Sequence, residues 1–345
     1  MITPNPIEGI GFHAAGAASA STCYLPFHKT KKWSWVAYWL IQSLFAWILA
    51  PLVIALITVP DFFDVIKQSP SNIVWLTFLL GGMYGFGGMS FGFATRYIGY
   101  SLTYAISIGL SAVLGTVLPL LIKGNLIGYF QQSGGNIILI GMIVALLGVA
   151  LCGLAGFKKE REVKAENKGK FNMKKGFMLA AVAGVLSGVF NIALEIGQPI
   201  ADLASKKGAG IYEDNAKLII ATAGCFVINV IWFTCLGIKQ KNLVELTVKS
   251  NIPKPTLFRN FLWAAFGGVL WCMQFFFYGL GHVKMGRFQF ASWVIHMSML
   301  IFFSFLVGIA MKEWRNVSKK TYATLIIALI VLGASFFILS FGSMQ

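Results

Sequence analysis

The stretch KKEREVKAENKGKFNMKK, residues 158–175, is the one long polar run in an otherwise apolar chain, and it lies near the middle. It carries eight Lys or Arg residues against three Glu and has no apolar periodicity, which is typical of a solvated linker. It therefore predicts a boundary between two parts, residues 1–157 and residues 176–345. The composition of those two parts decides the class of the protein.

The chain is too apolar for a soluble fold. Its 345 residues are 57% hydrophobic and only 12% charged, with a mean hydropathy of +0.75, whereas roughly a quarter of the residues in soluble domains are charged. A net charge of +16 would suggest a nucleic-acid partner in a soluble protein. Here the basic residues lie in short loops between apolar runs, so we expect an integral membrane protein that binds the lipid bilayer and no nucleic acid.

Apolar runs long enough to form membrane-spanning helices occur ten times. A helix needs about 20 residues to cross roughly 30 Å of hydrocarbon. Five runs precede the linker and five follow it, which predicts an all-α fold with ten transmembrane helices. Their approximate limits are 8–27, 34–59, 73–96, 102–122, 135–157, 175–196, 214–237, 258–282, 288–311 and 321–342.

The distribution of basic residues predicts the orientation. Of the 28 Lys and Arg residues, 21 lie in alternate loops that include the linker. Because loops rich in Lys and Arg stay in the cytosol, the linker is expected there, with both termini outside. Trp33, Trp35 and Trp39 follow Lys31 and Lys32 and are expected to be interfacial anchors.

An odd number of spans in each half predicts inverted repeats, because equivalent spans then cross the membrane in opposite directions. Short similarities occur in the same order in both halves. They pair Gly16 and Ser19 with Gly184 and Ser187, Gly81-Gly82 with Gly267-Gly268, Phe91 with Phe277, and Leu147-Gly148 with Leu332-Gly333.

The third span is rich in glycine, with two small-xxx-small pairs, Gly81/Gly85 and Gly88/Gly92. Such pairs allow helices to approach closely in lipid. The same residues could instead provide a hinge or gate, and the sequence leaves both interpretations open.

Polar side chains within the spans predict a central site, because such groups are costly in hydrocarbon unless they face a cavity or a partner. They recur at helical spacing on single helix faces, with Asn191, Gln274 and His296 near the middle of the membrane and Glu195 nearer the outside. Amides exchange hydrogen bonds with hydroxyls and aromatic rings cover a sugar ring, so the set predicts a site for a small polyhydroxylated solute. The members are Asn191, Glu195 and Gln198; Gln289, Trp293 and His296; and Trp271, Gln274 and Tyr278, with Tyr84 as a further aromatic residue.

Three ionisable residues are candidates for proton coupling: His13, Glu195 and His296. Each has a simpler alternative. Glu195 could reach the outer headgroups, His13 could lie at the interface, and His296 could form interhelical hydrogen bonds without transport function. His282, Lys284 and Arg287 are expected in an outer loop.

Known catalytic motifs such as GxSxG, a Walker loop or HExxH are absent from the sequence, and the five cysteines have no metal-ligand spacing. We expect no enzyme activity, cofactor, metal or obligate protein partner. An intramembrane enzyme and a passive channel remain alternatives from other functional classes.

Several long motifs resemble the L-rhamnose–proton symporter family of the drug/metabolite transporter superfamily. The resemblance covers most of the chain and is weakest between about residues 190 and 260. The motifs are HAAGAASASTCYLPFHKTKKWSW (13–35), GMYGFGGMSFGFATRYIG (82–99), WCMQFFFYGLGH (271–282), SWVIHMS (292–298) and KEWRN (312–316).

The resemblance implies a bacterial inner-membrane transporter that imports a deoxyhexose with protons by alternating access. It implies substrate-site roles for Trp271, Gln274, Tyr278, Trp293 and His296, and a coupling role for His13. The chain departs from the family pattern, which has two Asn where this chain has Gly88 and Ser90, and a neutral residue where it has Glu195. A symporter of a different aldose and a sodium-coupled sugar transporter therefore remain alternatives.

Overall fold

The protein is built from helices. The computed structural model describes residues 3–122, 124, 126–166 and 172–345, and within these ranges there are helices and no strands. Nine of the described helices are long and apolar enough to cross a membrane, so the prediction of an all-helical integral membrane protein is confirmed at this level. The ten main helices are α1 (Pro6–Thr22), α2 (Trp35–Thr58), α3 (Ser71–Ile98), α4 (Tyr100–Ile122), α5 (Gly135–Glu166), α6 (Met173–Ile196), α7 (Asp214–Gln240), α8 (Lys254–Lys284), α9 (Ser292–Ala310) and α10 (Lys319–Ser343).

The first helix, α1, has 17 residues and is shorter than predicted. It ends at Thr22, and a separate 3-10 turn covers Leu25–Lys29. The side chain of Asn5 caps its first turn by accepting a hydrogen bond from a backbone N–H. α1 packs against α8 and α9. A Cβ at Gly16 would lie 2.7 Å from the backbone oxygen of Gln274, so this close approach requires glycine.

The second helix, α2, is interrupted by a π-helical segment at Phe45–Leu49. Pro51 follows this segment and has no N–H to donate to the carbonyl four residues earlier, at Trp47. A wider π turn is a common way to accommodate such a break within a helix. Trp47 is therefore carried on an irregular turn, where its side chain is buried.

The helices pack as a set of interlocking pairs. α6 packs against α3 and α4, and α1 packs against α8 and α9. α7 contacts both α2 and α3, α2 contacts α8, and α5 pairs with α10. Helices α1, α4, α6, α8 and α9 thus share a common interior, in which His13, Asn191, Gln274 and His296 are buried.

The glycines of α3 divide into two groups. A Cβ at Gly81 would meet the backbone of Ala221 on α7, and one at Gly85 would lie 3.0 Å from the backbone oxygen of Cys225. These two glycines therefore serve helix packing. By contrast, a Cβ at Gly88 or Gly92 would have no neighbour within 4 Å. The packing interpretation accounts for the first pair and leaves the second unexplained.

The start of the basic run is helical, which differs from the predicted solvated linker. α5 continues to Glu166, and α6 begins at Met173. Lys159 is buried and forms an ion pair of 3.2 Å with Glu313. The carboxylate of Glu162 accepts hydrogen bonds from Ser318 at the start of α10. These contacts bind residues 158–166 to the rest of the fold, while residues 167–171 lie outside the described residues.

Candidate functional site

The interior contains a large cavity of about 650 Å³. Its walls come from both halves of the chain, including α1, α2 and α3 before the basic run and α6, α7, α8 and α9 after it. It extends to His28, Gln240 and Glu313, which adjoin the loops that carry most of the Lys and Arg residues. The cavity is therefore accessible from the side of the basic loops.

One wall of the large cavity is aromatic. The rings of Trp47 and Trp271 meet edge to face with centroids 5.4 Å apart, and Trp39 contacts Trp47 at 5.8 Å. Tyr84 on α3 stacks near Trp271 at 6.4 Å. Such a surface suits the apolar face of a sugar ring. Trp39 and Trp47 were missed as site residues, and Trp39, expected to be an interfacial anchor, instead lines the cavity.

The polar lining of the large cavity is sparse. Gln274 lines it and is only 6% exposed, and its side chain has no hydrogen-bond partner among the described residues. Asn229 also lines it, but its amide is engaged. It accepts a hydrogen bond from the indole of Trp39 (3.2 Å) and donates one to the backbone oxygen of Gly85 (3.3 Å). Gln274 is thus free to bind a solute, whereas Asn229 positions Trp39.

A layer of hydrogen-bonded side chains closes the far end. The hydroxyl of Tyr278 donates to Oδ1 of Asn191 (3.0 Å), and the Asn191 amide donates to the backbone oxygen of Gly115 (2.7 Å). The indole of Trp293 donates to the backbone oxygen of Ser111 (3.0 Å). These contacts join α4, α6, α8 and α9. Beyond them is a second cavity of about 200 Å³, lined by the same Asn191, Tyr278 and Trp293.

His13 and His296 lie together behind this layer. Both are fully buried, and their ring centroids are 5.7 Å apart. The ring of Tyr278 is 5.5 Å from His13 and 5.4 Å from His296. No side chain among the described residues forms a hydrogen bond with the ring nitrogens of either histidine. The structure therefore brings together three of the predicted residues, from α1, α8 and α9.

Glu195 lines the smaller cavity, where its carboxylate oxygen is 4.0 Å from Nε2 of His282. His282 was expected in an outer loop. That expectation is wrong, because α8 continues to Lys284 and leaves His282 only 4% exposed, beside the ring of Tyr278 at 5.8 Å. Glu195 therefore lies close to the group formed by Tyr278, His282, His13 and His296.

Gln198 is separated from the other predicted residues. The expected stripe of Asn191, Glu195 and Gln198 required one continuous helix, but α6 ends at Ile196. Gln198 begins a short helix, and its side chain accepts a hydrogen bond from Nζ of Lys217 (2.6 Å). It lines neither cavity. The helix stop at Gly197 and Pro199 was the available signal.

Lys217 itself was missed by the sequence analysis. It is 2% exposed and forms an ion pair of 2.8 Å with Asp214, three residues earlier on α7. The spacing of the two residues was a visible signal, because residues three apart lie on the same helix face. This pair belongs to the packing around Gln198 and not to either cavity.

Comparisons with known proteins identify the family of this chain. The model of the family described as L-rhamnose-proton symport protein (RhaT) matches residues 3–344. The chain is 34% identical over 330 residues to the L-rhamnose-proton symporter of Yersinia pestis (strain Pestoides F), covering 94% of this chain and 95% of that protein. It is 33% identical over 328 residues to the L-rhamnose-proton symporter of Escherichia coli O17:K52:H18, covering 94% of each. This chain belongs to the L-rhamnose-proton symport protein family.

Proposed function

We propose that this protein imports L-rhamnose, or a closely related deoxyhexose, by proton symport with alternating access. The observation that carries the proposal is the one-sided cavity of about 650 Å³, lined by Trp271, Gln274 and Tyr84 and closed at one end by Tyr278 and Trp293. A site between two halves with access from one side suits a transporter. The family, one of symport proteins and not of enzymes, supports the same function.

The proposed topology has ten spans, both termini outside and residues 158–175 in the cytosol, within a bacterial inner membrane. α1 is the additional span. It has only 17 residues, but it packs in the interior against α8 and α9. The relatives are bacterial, which supports this location. In this orientation the large cavity opens to the cytosol, and the molecule is inward-facing.

Two inverted five-helix repeats, in residues 1–157 and 176–345, account for the packing pattern. If α1–α5 correspond in order to α6–α10, each contact between two helices should recur between the two helices that correspond to them in the other repeats. The packing of α6 against α3 and α4 matches the packing of α1 against α8 and α9. The packing of α7 against α3 likewise matches that of α2 against α8. The glycine pairs agree, since Gly81 meets the backbone of α7 and Gly268 meets that of α2.

The sugar is held near the midplane by residues from both halves. Trp271 and Tyr84 cover its apolar face, and Gln274 binds hydroxyls. Tyr278, Asn191 and Trp293 form the outer wall and contact the sugar when the site faces outward. Gln198 is assigned no contact with sugar, because its amide is held by Lys217.

Coupling is assigned to His13, His296 and Glu195. When the site faces outward, a proton from outside reaches the histidine pair, and the charged pair favours sugar binding through Tyr278, which contacts both rings. Two positive charges with ring centroids 5.7 Å apart would repel each other, so the pair is suited to one proton. After the sugar leaves to the cytosol, loss of the proton resets the cycle.

The direct test is uptake of labelled L-rhamnose into proteoliposomes. Vesicles that are more acidic outside should accumulate the sugar above its external concentration, and a protonophore should abolish accumulation. Accumulation driven by a sodium gradient at equal pH would instead support the sodium-coupled alternative. Equilibration without accumulation would indicate a channel, and a panel of unlabelled aldoses as competitors separates L-rhamnose from other sugars.

A further inference from the structure

The buried pair of His13 and His296 has no direct access to water. Both rings are fully buried, and neither residue lines the large or the smaller cavity. A group that gains or loses a proton must lie within hydrogen-bond reach of its proton donor or acceptor, or be linked to it by water. A proton from outside must therefore pass through a further side chain before it reaches the pair.

The smaller cavity extends toward the outer surface. It is lined by the last turn of α4 and by residues of the 3-10 turn Gly286–Ala291, which joins α8 to α9. These segments lie opposite the basic loops, on the outside in the proposed topology. Arg287 lines the cavity and is exposed at the surface. Outer water therefore reaches the polar groups of this cavity.

His282 lies between this cavity and the histidine pair. It lines the smaller cavity and is only 4% exposed. Its ring stacks on that of Tyr278 with centroids 5.8 Å apart, and the other contacts of the tyrosine ring include both His13 and His296. His282 is thus the histidine that borders both the cavity and the group around Tyr278.

The backbone of α8 beside His282 touches the ring of His13. A Cβ at Gly281 would lie 2.8 Å from Cε1 and 2.9 Å from Nδ1 of His13. Only glycine allows a ring to approach a helix backbone this closely. His13 therefore lies against the same turn of α8 that carries His282.

Glu195 faces His282 from the cavity side. One carboxylate oxygen of Glu195 is 4.0 Å from Nε2 of His282, and both residues line the smaller cavity. A carboxylate at this distance attracts the positive charge that a histidine carries when it is protonated. The pair is therefore suited to hold a proton that arrives from outer water.

Other charged side chains near this route are engaged elsewhere. The guanidinium of Arg287 lies over an aromatic ring of its own turn at 4.9 Å. Lys284 forms an ion pair of 2.9 Å with Glu8 at the start of α1, and Asp214 on α7 is held by Lys217. Among the described residues, the titratable groups around His282 are therefore Glu195 on α6, Tyr278 on α8, His13 on α1 and His296 on α9.

We propose that His282 is the proton-entry residue, which carries protons from the smaller cavity to the histidine pair. An N–H bond forms on His282 as an O–H bond of hydronium breaks, and Glu195 balances the charge. The N–H bond on His282 then breaks as one forms on His13, so one proton has moved and His282 is neutral again. This inference rests on the proposed function, because it names the proton path to the same coupling site.

Loss of this path should slow uptake without changing its driving force. His282→Gln is reconstituted as full-length protein in proteoliposomes at equal pH, where an inside-negative potassium diffusion potential drives proton entry. The initial rate of labelled L-rhamnose uptake should fall about tenfold, since positioned proton-transfer groups contribute factors of this size or larger. The final accumulation should be unchanged, because the potential and the number of protons per sugar determine it.

Rescue by imidazole separates proton transfer from packing. His282→Ala removes the ring beside the smaller cavity, and imidazole at equal concentration on both sides should restore the initial rate. Val283→Ala is the matched control, because Val283 is 5% exposed on the same turn and lines neither cavity. It should transport like the unchanged protein with or without imidazole. Melting temperatures check folding, and the nearly isosteric His282→Gln carries the test if His282→Ala does not fold.

An unchanged initial rate in His282→Gln would overturn the proton path while leaving proton symport intact. A slow rate in His282→Ala that imidazole does not restore would also overturn it, because His282 would then serve only to pack against Tyr278. Loss of the final accumulation would assign His282 to coupling itself instead of proton entry. If the unchanged protein accumulates no L-rhamnose under the potential, the proposed symport fails and the proton path falls with it.

Discussion

The hydroxyl of Tyr278 donates a hydrogen bond of 3.0 Å to Oδ1 of Asn191, and this bond joins α8 to α6 between the two cavities. Both residues are 3% exposed. The ring of Tyr278 also contacts His13, His296, His282 and Trp293. One side chain thus connects the closed end of the large cavity to the buried histidine pair, so in the proposed mechanism it links sugar access to protonation.

Removing this hydroxyl should destabilise the closed outer layer. Tyr278→Phe keeps the ring contacts but leaves a buried amide oxygen unpaired, so the free energy of unfolding should fall by about 1–3 kcal/mol. Thermal unfolding of the purified protein measures this. Tyr212→Phe is the control, because Tyr212 stacks on Phe276 through its ring. A change no larger than the control would contradict a structural role for the Tyr278 bond.

His13 should be needed to couple sugar uptake to the proton gradient. His13→Gln should abolish accumulation of L-rhamnose driven by a proton gradient, because the neutral amide cannot take up a proton. Exchange of labelled for unlabelled sugar at equal pH should persist. Lys29→Gln, at an exposed residue on the turn Leu25–Lys29 that lines neither cavity, should leave both activities unchanged. Gradient-driven accumulation that survives His13→Gln would exclude His13 as a coupling residue.

Glu195 should affect transport through its position beside His282 in the smaller cavity. Glu195→Gln removes the negative charge at nearly constant volume, so uptake should become slower and its dependence on external pH should change. Initial uptake rates measured across external pH with a fixed internal pH test this. Identical rates and an identical pH profile would assign Glu195 to the outer headgroup region instead.

The aromatic wall should supply binding energy. Trp271→Leu removes the ring that contacts Trp47, Tyr84 and Phe275 and should weaken L-rhamnose binding at least tenfold, equivalent to about 1.4 kcal/mol. Titration of the melting temperature with sugar measures the loss. Trp75→Leu, at a tryptophan that is 63% exposed on α3, should bind sugar normally. Equal affinities for the two variants would remove Trp271 from the site.

The buried ion pair of Lys217 and Asp214 should matter for stability. Lys217→Met leaves a buried carboxylate without its partner and should lower the free energy of unfolding by about 3–5 kcal/mol. Adding Asp214→Leu to this variant should restore much of the loss, since neither charge then remains. Lys206→Met, at an exposed lysine nearby, is the control. Melting temperatures that are unchanged in Lys217→Met would show that the pair is not stabilising.

Much of the fold could be predicted because the bilayer imposes simple length and polarity rules on each helix separately. Apolar runs located α2 to α10 to within about four residues at each end, except that α5 continues to Glu166. Polar residues at helical spacing identified Trp271, Gln274 and Tyr278 as members of one face. Only local information was needed for these inferences. The family also follows from sequence motifs.

The remaining features depend on how separate helices meet, which local periodicity does not encode. Gln198 leaves its predicted stripe because α6 ends before it, and His282 is buried because α8 extends further than the apolar run. The amino-acid sequence by itself determined which segments are long and apolar enough to cross a membrane and which family the chain belongs to. Only the tertiary structure decided that Gly81 packs against a helix while Gly88 faces an open cavity. Both residues are glycines on the same helix, and their roles differ because a neighbouring helix lies opposite one and open space lies opposite the other.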